Sequence, residues 1–236
     1  MEMKSANPDP PSGARMDHPL VPMTFDLSQV PSDVIRLCEI LGPRKTYVVG
    51  GILRDSILAS MPLSEGPVRC VVGADWDLAT PLPPREVMKR LRQKGFTVVP
   101  VGIEHGTVAA ILSGVQYEIT TFRHDVEYRD GRHPTVTFTD SIEEDLRRRD
   151  FTINAFALDL ETGEILDLFS GVPDLVQKII RTVGDPSERF LEDHLRMIRA
   201  ARFAAKIQGR LEADTLAAIR AYAPLIRRIS AERIRD

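Results

Sequence analysis

The chain has 236 residues, of which 43% are hydrophobic and 28% are charged, and its formal net charge is -3 at pH 7. This balance is typical of a globular chain with one domain or two small ones, and no apolar run reaches membrane-spanning length, so a soluble protein is expected. The slight negative charge argues against broad electrostatic coating by nucleic acid. Two cysteines without metal-ligand spacing, Cys38 and Cys70, indicate a reducing compartment, the cytoplasm.

The N-terminal segment, residues 1–30, combines several prolines with polar residues and predicts a disordered tail. Its acidic residues and its lack of an apolar stretch argue against a secretory or organelle signal. A helix is predicted next, beginning at Ser32 and Asp33, which are good capping residues, and ending at Gly42.

A pair of glycines follows the next predicted strand. Residues 46–49 are β-branched or aromatic and predict this strand, and a helical pattern begins directly after Gly50 and Gly51. Glycine lets a backbone approach a ligand closely, and the free N–H groups at the start of a helix attract phosphate. Arg54, in the first turn, has a guanidinium group that fits a phosphate oxygen. Such a turn is also a common structural connector, so the pattern alone leaves both interpretations open.

Two acidic residues lie one residue apart in the next extended segment, Asp75 and Asp77. In a strand, residues i and i+2 share a face, so both carboxylates project together while Trp76 and Leu78 turn to the other side. Two carboxylates this close repel each other unless a cation lies between them, and Mg²⁺ prefers such ligands together with substrate phosphates. The alternative is a solvated bend.

Three more strands and one helix are predicted before residue 123. Residues 84–94 predict the helix and residues 96–101 a strand. Residues 105–112 and 115–122 predict two strands joined by a serine and a glycine, which is a hairpin signal.

Glu118 lies within the second strand of this hairpin, between Tyr117 and Ile119, and is expected on the face opposite them. If that face also carries Asp77, Glu118 is a third metal ligand. If it does not, Glu118 is a solvated strand residue.

The next two segments are polar. Residues 123–140 show no sustained period of either kind and predict a loop, and a loop of this length is usually functional or disordered. Arginines occupy positions 147–149 after an acidic cluster at 143–145, a pattern that is usual for a solvated helix face. A short hairpin is predicted around residues 161–164, and mainly helices after it.

A single helix is predicted over residues 186–208, with Leu191, Leu195, Ile198, Phe203 and Ile207 on its core face. Asp193 and Arg196 then lie off that face, three residues apart, where they can hold each other in register. A carboxylate accepts from a base amino group and a guanidinium donates to a ring nitrogen or carbonyl, so the pair can read a base. The alternative is an ordinary surface ion pair.

Four motifs occur in a fixed order: residues 47–55 (YVVGGILRD), 75–80 (DWDLAT), 148–155 (RRDFTINA) and 192–203 (EDHLRMIRAARF). In this order they resemble the class II tRNA nucleotidyltransferase and bacterial poly(A) polymerase family, over residues 32–236. The resemblance implies an α+β fold, with a nucleotidyltransferase head like that of DNA polymerase beta, built on a mixed or antiparallel sheet and followed by an all-helical neck.

The same resemblance divides the chain into a catalytic head, residues 31–160, and a neck that recognises the nucleotide base, residues 161–236. The gap between the glycines and the acidic pair, residues 60–73, is longer than usual and predicts a loop insertion. The body and tail that grip tRNA in relatives are missing, which predicts a fragment or reduced RNA binding.

Carried over by position, the resemblance implies that Asp75 and Asp77 are catalytic and hold Mg²⁺. It makes the following residues the nucleotide-binding set: Gly50, Gly51, Arg54, Arg149, Asp193, Arg196, Arg199 and Arg202. The family assigns Asp193 and Arg196 a protein-side version of Watson-Crick pairing, and it places residues 123–140 in a mobile loop near the active site.

The function implied is template-independent addition of CMP, AMP or both, from CTP and ATP, to an RNA 3′ end, and tRNA CCA addition or repair is the leading form. Alternatives are a poly(A) polymerase and a catalytically silent nucleotide- or RNA-binding fragment. A glycosyltransferase that holds a nucleotide sugar is a further rival, which the motifs around residues 50–55 and 192–196 disfavour. The expected partners are ATP, CTP and the 3′ end of a tRNA.

Overall fold

The computed structural model describes residues 23–42, 45–62, 66–73, 75–128 and 134–235. The strands and helices in chain order are β1 (Met23–Thr24), α1 (Ser32–Leu41), β2 (Tyr47–Val49), α2 (Gly51–Ala59), β3 (Asp77–Thr80), α3 (Pro84–Gln93), β4 (Thr97–Gly102), β5 (Thr107–Leu112), β6 (Val115–Thr121), β7 (Arg123–Tyr128), β8 (Pro134–Phe138), α4 (Ile142–Arg147), β9 (Phe156–Asp159), β10 (Glu164–Asp167), α5 (Gly171–Val176), β11 (Ile179–Ile180), α6 (Pro186–Glu192), α7 (Leu195–Lys206), β12 (Arg210–Leu211), α8 (Ala213–Tyr222) and α9 (Ala231–Arg235). Short 3-10 helices lie at Leu27–Gln29, Ile103–His105, Thr152–Asn154 and Ala223–Arg228.

Eight strands form one mixed sheet in the order β1-β10-β9-β2-β3-β6-β5-β4. Neighbouring strands are antiparallel except for β3 and β6, which run parallel. The parallel pair arises because α3, β4 and β5 lie between β3 and β6 in the chain, and a parallel pair needs a long connection of this kind. The predicted α+β class with a mixed sheet and helices after it is confirmed.

One face of the sheet carries the main hydrophobic core. A row of side chains crosses this face from strand to strand: Val108, Ile119, Leu78, Val48, Leu158 and Ile165. All of them are buried, and apolar residues of α1, α2 and α3 belong to the same cluster. Burial of these contiguous apolar surfaces holds α2, with the glycine turn before it, firmly against the sheet.

The opposite face has a smaller apolar cluster, formed by Val49, Ala79, Phe122, Leu146 and Ala157. Because side chains alternate along a strand, Asp77 is on this second face, where it pairs with Val49. The register of β3 against β6 places Glu118 on the same face, opposite the buried Ile119. The second face is therefore the face on which the acidic residues meet the end of β2.

The loop predicted over residues 123–140 is wrong in its described part, because β7 and β8 form an antiparallel hairpin there. A register shift between Asp125 and Glu127 interrupts the pairing. Such an irregularity places an extra residue on one strand and breaks the alternation by which strands are recognised in a sequence. Residues 129–133, on which the predicted mobility partly falls, lie outside the described residues.

The single helix predicted over residues 186–208 is also wrong, because α6 ends at Glu192 and α7 begins at Leu195. Asp193 between them is extended, and its carboxylate accepts from the backbone N–H of Leu195 at 3.0 Å. An aspartate whose side chain accepts from a backbone N–H two residues further on competes with the helical hydrogen-bond pattern. The break rotates the core face, so Phe190 is buried and Leu191 is 47% exposed.

Two strands of the main sheet lie outside the 31–160 range predicted for the head. Strand β1 lies in the predicted tail, and β10, which forms the expected hairpin with β9, lies in the predicted neck. Residues 1–22 of the predicted tail are outside the described residues.

Within the part of the chain that the structure describes, no helix is long and apolar enough to cross a membrane.

Candidate active site

The turn between β2 and α2 brings the backbone against Asp77. Gly50 has a φ of +91°, and a Cβ atom added there would lie 2.9 Å from Oδ2 of Asp77. Only glycine meets both conditions without strain, because it tolerates positive φ and has no side chain. A Cβ atom at Gly51 would lie 3.1 Å from Nη2 of Arg54. The glycine pair thus lets the start of α2 lie close to a carboxylate and a guanidinium group.

Asp77, the first residue of β3, is an acidic group with a strongly raised pKa. Burial, followed by the negative charge of Glu118, raises the pKa of Asp77 to about 6; Arg149 opposes this rise, and Asp75 adds to it. Glu118 and Asp75 are therefore near enough to disfavour the ionised form of Asp77. A cation bound beside Asp77 would relieve that repulsion.

Asp75 lies just before β3 and is exposed, so of the two aspartates only Asp77 is fixed in position by strand pairing. Trp76 and Leu78 are buried on the other side, as predicted. Glu118 is exposed on β6 and shares the face of Asp77, as its proposed role requires. In the described part of the chain, no three His, Cys, Asp or Glu side chains lie close enough to form a metal site. The ligand role of Glu118 stays a prediction.

A buried carboxylate holds two arginines beside this acidic group. Oδ1 of Asp145 accepts from Nε and Nη2 of Arg148 at 3.0 and 2.8 Å, and Oδ2 lies 3.5 Å from Nη2 of Arg149. Arg149 also donates to the backbone oxygen of Asn154 at 3.3 Å, and no described residue accepts from its Nε. Burial lowers the pKa of Arg149. Its guanidinium group is therefore held in place, and its Nε–H has no acceptor among the described residues.

The break between α6 and α7 changes the predicted pair of Asp193 and Arg196. The carboxylate of Asp193 accepts from Arg233 at 3.1 and 3.3 Å in addition to the Leu195 N–H. Arg196 is 9% exposed, rather than lying off the core face, and it donates to a carboxylate oxygen of Glu192 and to the backbone oxygen of Arg148. Each of the two side chains is therefore oriented by partners outside the predicted pair, and the backbone N–H of Arg196 donates to the backbone oxygen of Asp193 at 3.0 Å.

The remaining predicted arginines lie on α7 around Phe203. Nε of Arg199 donates to Oδ2 of Asp150 at 2.7 Å, and its Cζ lies 5.3 Å from the ring centroid of Phe203. Arg202 lies over the same ring at 5.6 Å. It lines a smaller neighbouring cavity that it shares with Arg199 and Arg233.

One cavity of about 550 Å³ brings most of these groups together, a size within the usual range for small-molecule sites. The predicted site residues that line it are Gly50, Gly51, Arg54, Asp77, Arg149, Asp193, Arg196 and Arg199. Asp75, Glu118 and Arg202 do not line it. The lining contains six arginines and three aspartates, so the cavity favours an anion although the chain as a whole is slightly negative.

Further lining residues were not selected from the sequence: Arg148, Asp150, Asn154, Leu195, Phe203 and Arg233. Three of them lie in the third motif, so their proximity to Arg149 was the available signal. Arg233 is 40 residues from Asp193, and no local pattern links two positions so far apart.

The fold and this cavity define the class of protein, a nucleotidyltransferase-type head followed by a helical neck. The family described as Poly A polymerase head domain matches residues 46–181. A second family, described as probable RNA and SrmB-binding site of polymerase A, matches residues 210–236. The chain belongs to the family of poly A polymerase head domains.

Among curated relatives, the chain is 48% identical over 191 residues to the CCA-adding enzyme of Enterococcus faecalis, a match over 80% of this chain and 43% of the relative. Among solved structures, it is similar to the Bacillus stearothermophilus CCA-adding enzyme in complex with CTP, with 38% identity and a TM-score of 0.70, over 87% of this chain and 47% of that one.

It is also similar to a tRNA nucleotidyltransferase complexed with a primer tRNA and an incoming ATP analog. That match has 32% identity and a TM-score of 0.59, over 80% of this chain and 50% of that chain. The chain therefore spans about half the length, or less, of the relatives it matches.

Proposed function

We propose that this chain contains the catalytic head and nucleotide-binding neck of a template-independent RNA nucleotidyltransferase that adds CMP and AMP, from CTP and ATP, to the 3′ end of tRNA. The observation that carries the proposal is the single cavity in which the diglycine turn, Asp77 and the arginines of the neck converge. A nucleoside triphosphate needs contacts of this kind, with donors for its phosphates and paired polar groups for its base. The names of the relatives support CCA addition in particular.

The acidic residues fit Mg²⁺ as the metal. Asp77 has a raised pKa because burial and neighbouring carboxylates disfavour its charge, and Mg²⁺ is usually held by one or two carboxylates together with substrate phosphates. Asp75 and Asp77 would hold it, with Glu118 within electrostatic reach. When bound there, Mg²⁺ would activate the attacking 3′-hydroxyl and neutralise charge on the departing pyrophosphate.

The chain's own groups would bind and orient the nucleotide. Arg54 and Arg149 line the cavity near the start of α2 and would contact the triphosphate. Asp193 would accept from the amino group of cytosine or adenine while Arg196 donates to the ring, so that protein side chains replace a template. Fixed orientation by partners such as Arg233 and Glu192 lowers the cost of positioning during transfer.

Two unpaired cysteines, one of them buried, support action in a reducing compartment such as the cytoplasm. We also propose that the chain divides into a catalytic head, residues 31–160, and a nucleotide-binding neck, residues 161–236.

The test is incorporation of labelled CTP and ATP, separately and together, into a tRNA that lacks its CCA end. We expect Mg²⁺-dependent addition that stops after CCA. Asp77→Asn and Asp75→Asn should each reduce transfer by about a hundredfold or more, as is typical when one charge-stabilising group is removed from an active site. Glu39→Gln, an exposed carboxylate on α1, is the matched control and should leave transfer unchanged.

Other products would change the assignment. Long adenylate tracts from ATP alone would indicate a poly(A) polymerase, and full activity in Asp77→Asn would remove the catalytic site from this position. One alternative is a chain that binds nucleotide without transferring it. Retention of labelled CTP in equilibrium dialysis, with no incorporation by the wild-type chain, would establish that alternative.

A further inference from the structure

The guanidinium group of Arg54 is held along two of its edges. Nε and Nη2 donate to Oδ1 and Oδ2 of Asp55 at 2.8 and 2.9 Å, and Nη1 donates to Oδ1 of Asn154 at 2.6 Å. One face of the group lies over Phe203, with Cζ 4.9 Å from the ring centroid. An arginine has five N–H donors, so these bonds within the described residues leave one on each terminal nitrogen for a ligand.

Asp55 makes a second ion pair that reaches the neck. Its Oδ2 accepts from Nζ of Lys206 at 2.9 Å, so a single carboxylate bridges Arg54 of α2 and the last residue of α7. Burial acts to raise the pKa of Asp55, but the hydrogen bonds from Arg54 and Lys206 outweigh it and hold that pKa below its usual value. Asp55 itself does not line the nucleotide cavity.

A second chain of hydrogen bonds joins the same two elements on the other side of Arg54. Asn154, which accepts from Arg54, donates from Nδ2 to Oδ1 of Asp150 at 2.9 Å, and Asp150 accepts from Arg199 on its other oxygen. The network therefore leaves α7 at Lys206, passes through Arg54, and returns to α7 at Arg199. Helix α7 also carries Arg196, so three cavity-lining arginines, Arg54, Arg196 and Arg199, are tied to one helix.

We propose that Asp55 is a positioning residue for the nucleotidyl transfer reaction and that, with Lys206, it forms a latch between α2 and α7. This inference rests on the proposed function. The latch aims the two remaining donors of Arg54 at the triphosphate and links their position to the helix that carries the base-reading Arg196. The alternative is an ordinary ion pair, since Lys206 is half exposed and such pairs contribute little to stability.

The experiment is a double-mutant cycle on Asp55→Asn and Lys206→Met in the full chain, with KM and kcat measured for CTP and ATP. Asp55→Asn should raise KM by about tenfold, the effect of losing one charge-assisted hydrogen bond, and should change kcat by less than about threefold. Lys206→Met should raise KM by about threefold. The double variant should be no worse than Asp55→Asn alone, because Lys206 acts through Asp55.

Lys206→Arg keeps the charge and should restore the wild-type KM, whereas a merely structural role would move only thermal stability. The matched control is Lys89→Met, which removes an exposed lysine that is paired with Glu86 at 3.8 Å on α3 and should change nothing. Additive effects of the two substitutions, or an unchanged KM in Asp55→Asn, would overturn the latch. If Asp55→Asn does not fold, the comparison of Lys206→Met with Lys206→Arg decides.

Failure of the proposed function would look different. A wild-type chain that incorporates no nucleotide contradicts transfer, and the same cycle is then measured as the dissociation constant of labelled CTP by equilibrium dialysis. An active wild-type chain whose latch variants keep the wild-type KM contradicts the latch alone.

Discussion

Oδ2 of Asp77 lies 2.9 Å from the point at which a Cβ atom of Gly50 would stand, although 27 positions along the chain separate the two residues. Gly50→Ala therefore has to displace the carboxylate or the turn. We expect transfer to fall by about a hundredfold, since a shift of about 1 Å in a reacting group has this effect. Activity and circular dichroism are measured together, and the fold should be retained.

Gly95→Ala is the control for that substitution. Gly95 has a similar φ of +83°, but nothing lies within 4 Å of the added Cβ. Both variants should lose about 1–3 kcal/mol of stability because each places a side chain on a backbone with positive φ, and only Gly50→Ala should lose transfer. Equal activities in the two variants would contradict the close approach.

Asp145 is expected to contribute strongly to stability. Its side chain is 1% exposed and pairs with Arg148 and Arg149, and removal of one member of a buried pair costs about 3–5 kcal/mol. Asp145→Asn should show this loss in denaturant unfolding. Glu143→Gln, on the same helix, removes an exposed pair with Arg147 and should cost less than about 1 kcal/mol. A similar loss in both variants would argue against the buried network.

The stability from Asp145 should also depend on pH. Burial acts to raise the pKa of Asp145, but the charges of Arg148 and Arg149, and the backbone N–H of Arg123, hold it below its usual value. A lowered pKa in the folded state means that this stability is present above the unfolded pKa of about 3.9 and is lost as the pH falls below it. The difference between wild type and Asp145→Asn in free energy of unfolding should therefore be constant near neutrality and shrink in acid.

Arg233 should matter for nucleotide binding although it lies in the last helix. It donates to both oxygens of Asp193, and its loss would leave that carboxylate less firmly oriented. Arg233→Met should raise KM for CTP and ATP by about tenfold, the size expected for a charge-assisted hydrogen bond. The control is Arg235→Met, which replaces an exposed arginine of the same helix and should leave KM for CTP and ATP unchanged.

The thiol of Cys38 should be unreactive in the folded protein. Burial raises its pKa to about 12, and the thiolate is the reactive form. Iodoacetamide at pH 8 should leave Cys38 unmodified until denaturant is added, as read by peptide mass spectrometry. Rapid labelling of Cys38 in the native protein would show that α1 does not pack as described.

Local patterns predicted much of the head correctly. The helices expected over residues 32–42 and 84–94 and the hairpin strands of residues 105–122 are present as α1, α3, β5 and β6. These elements combine a clear hydrophobic period with strong boundary residues. Where a register shift or a capping aspartate interrupts the period, as in β7 and at Asp193, the prediction was wrong.

The candidate site divides in the same way. Eight of the predicted site residues line one cavity, and all eight come from short runs whose residue types suit phosphate, metal and base. The sequence did not reveal the partners that orient two of these residues, Asp145 for Arg149 and Arg233 for Asp193, or the contact of Lys206 with Asp55 beside Arg54. Two of these three contacts join positions 40 or more residues apart.

The sequence by itself determined the class of fold, the order of the motifs and the kind of ligand that their side chains suit, since these follow from local periodicity and residue chemistry. Only the tertiary structure decided which face of the sheet carries Asp77, where the neck helix breaks, and which carboxylate holds each arginine. Those features depend on strand register and on contacts between distant segments. Such contacts form only when the chain folds, so no local sequence pattern encodes them.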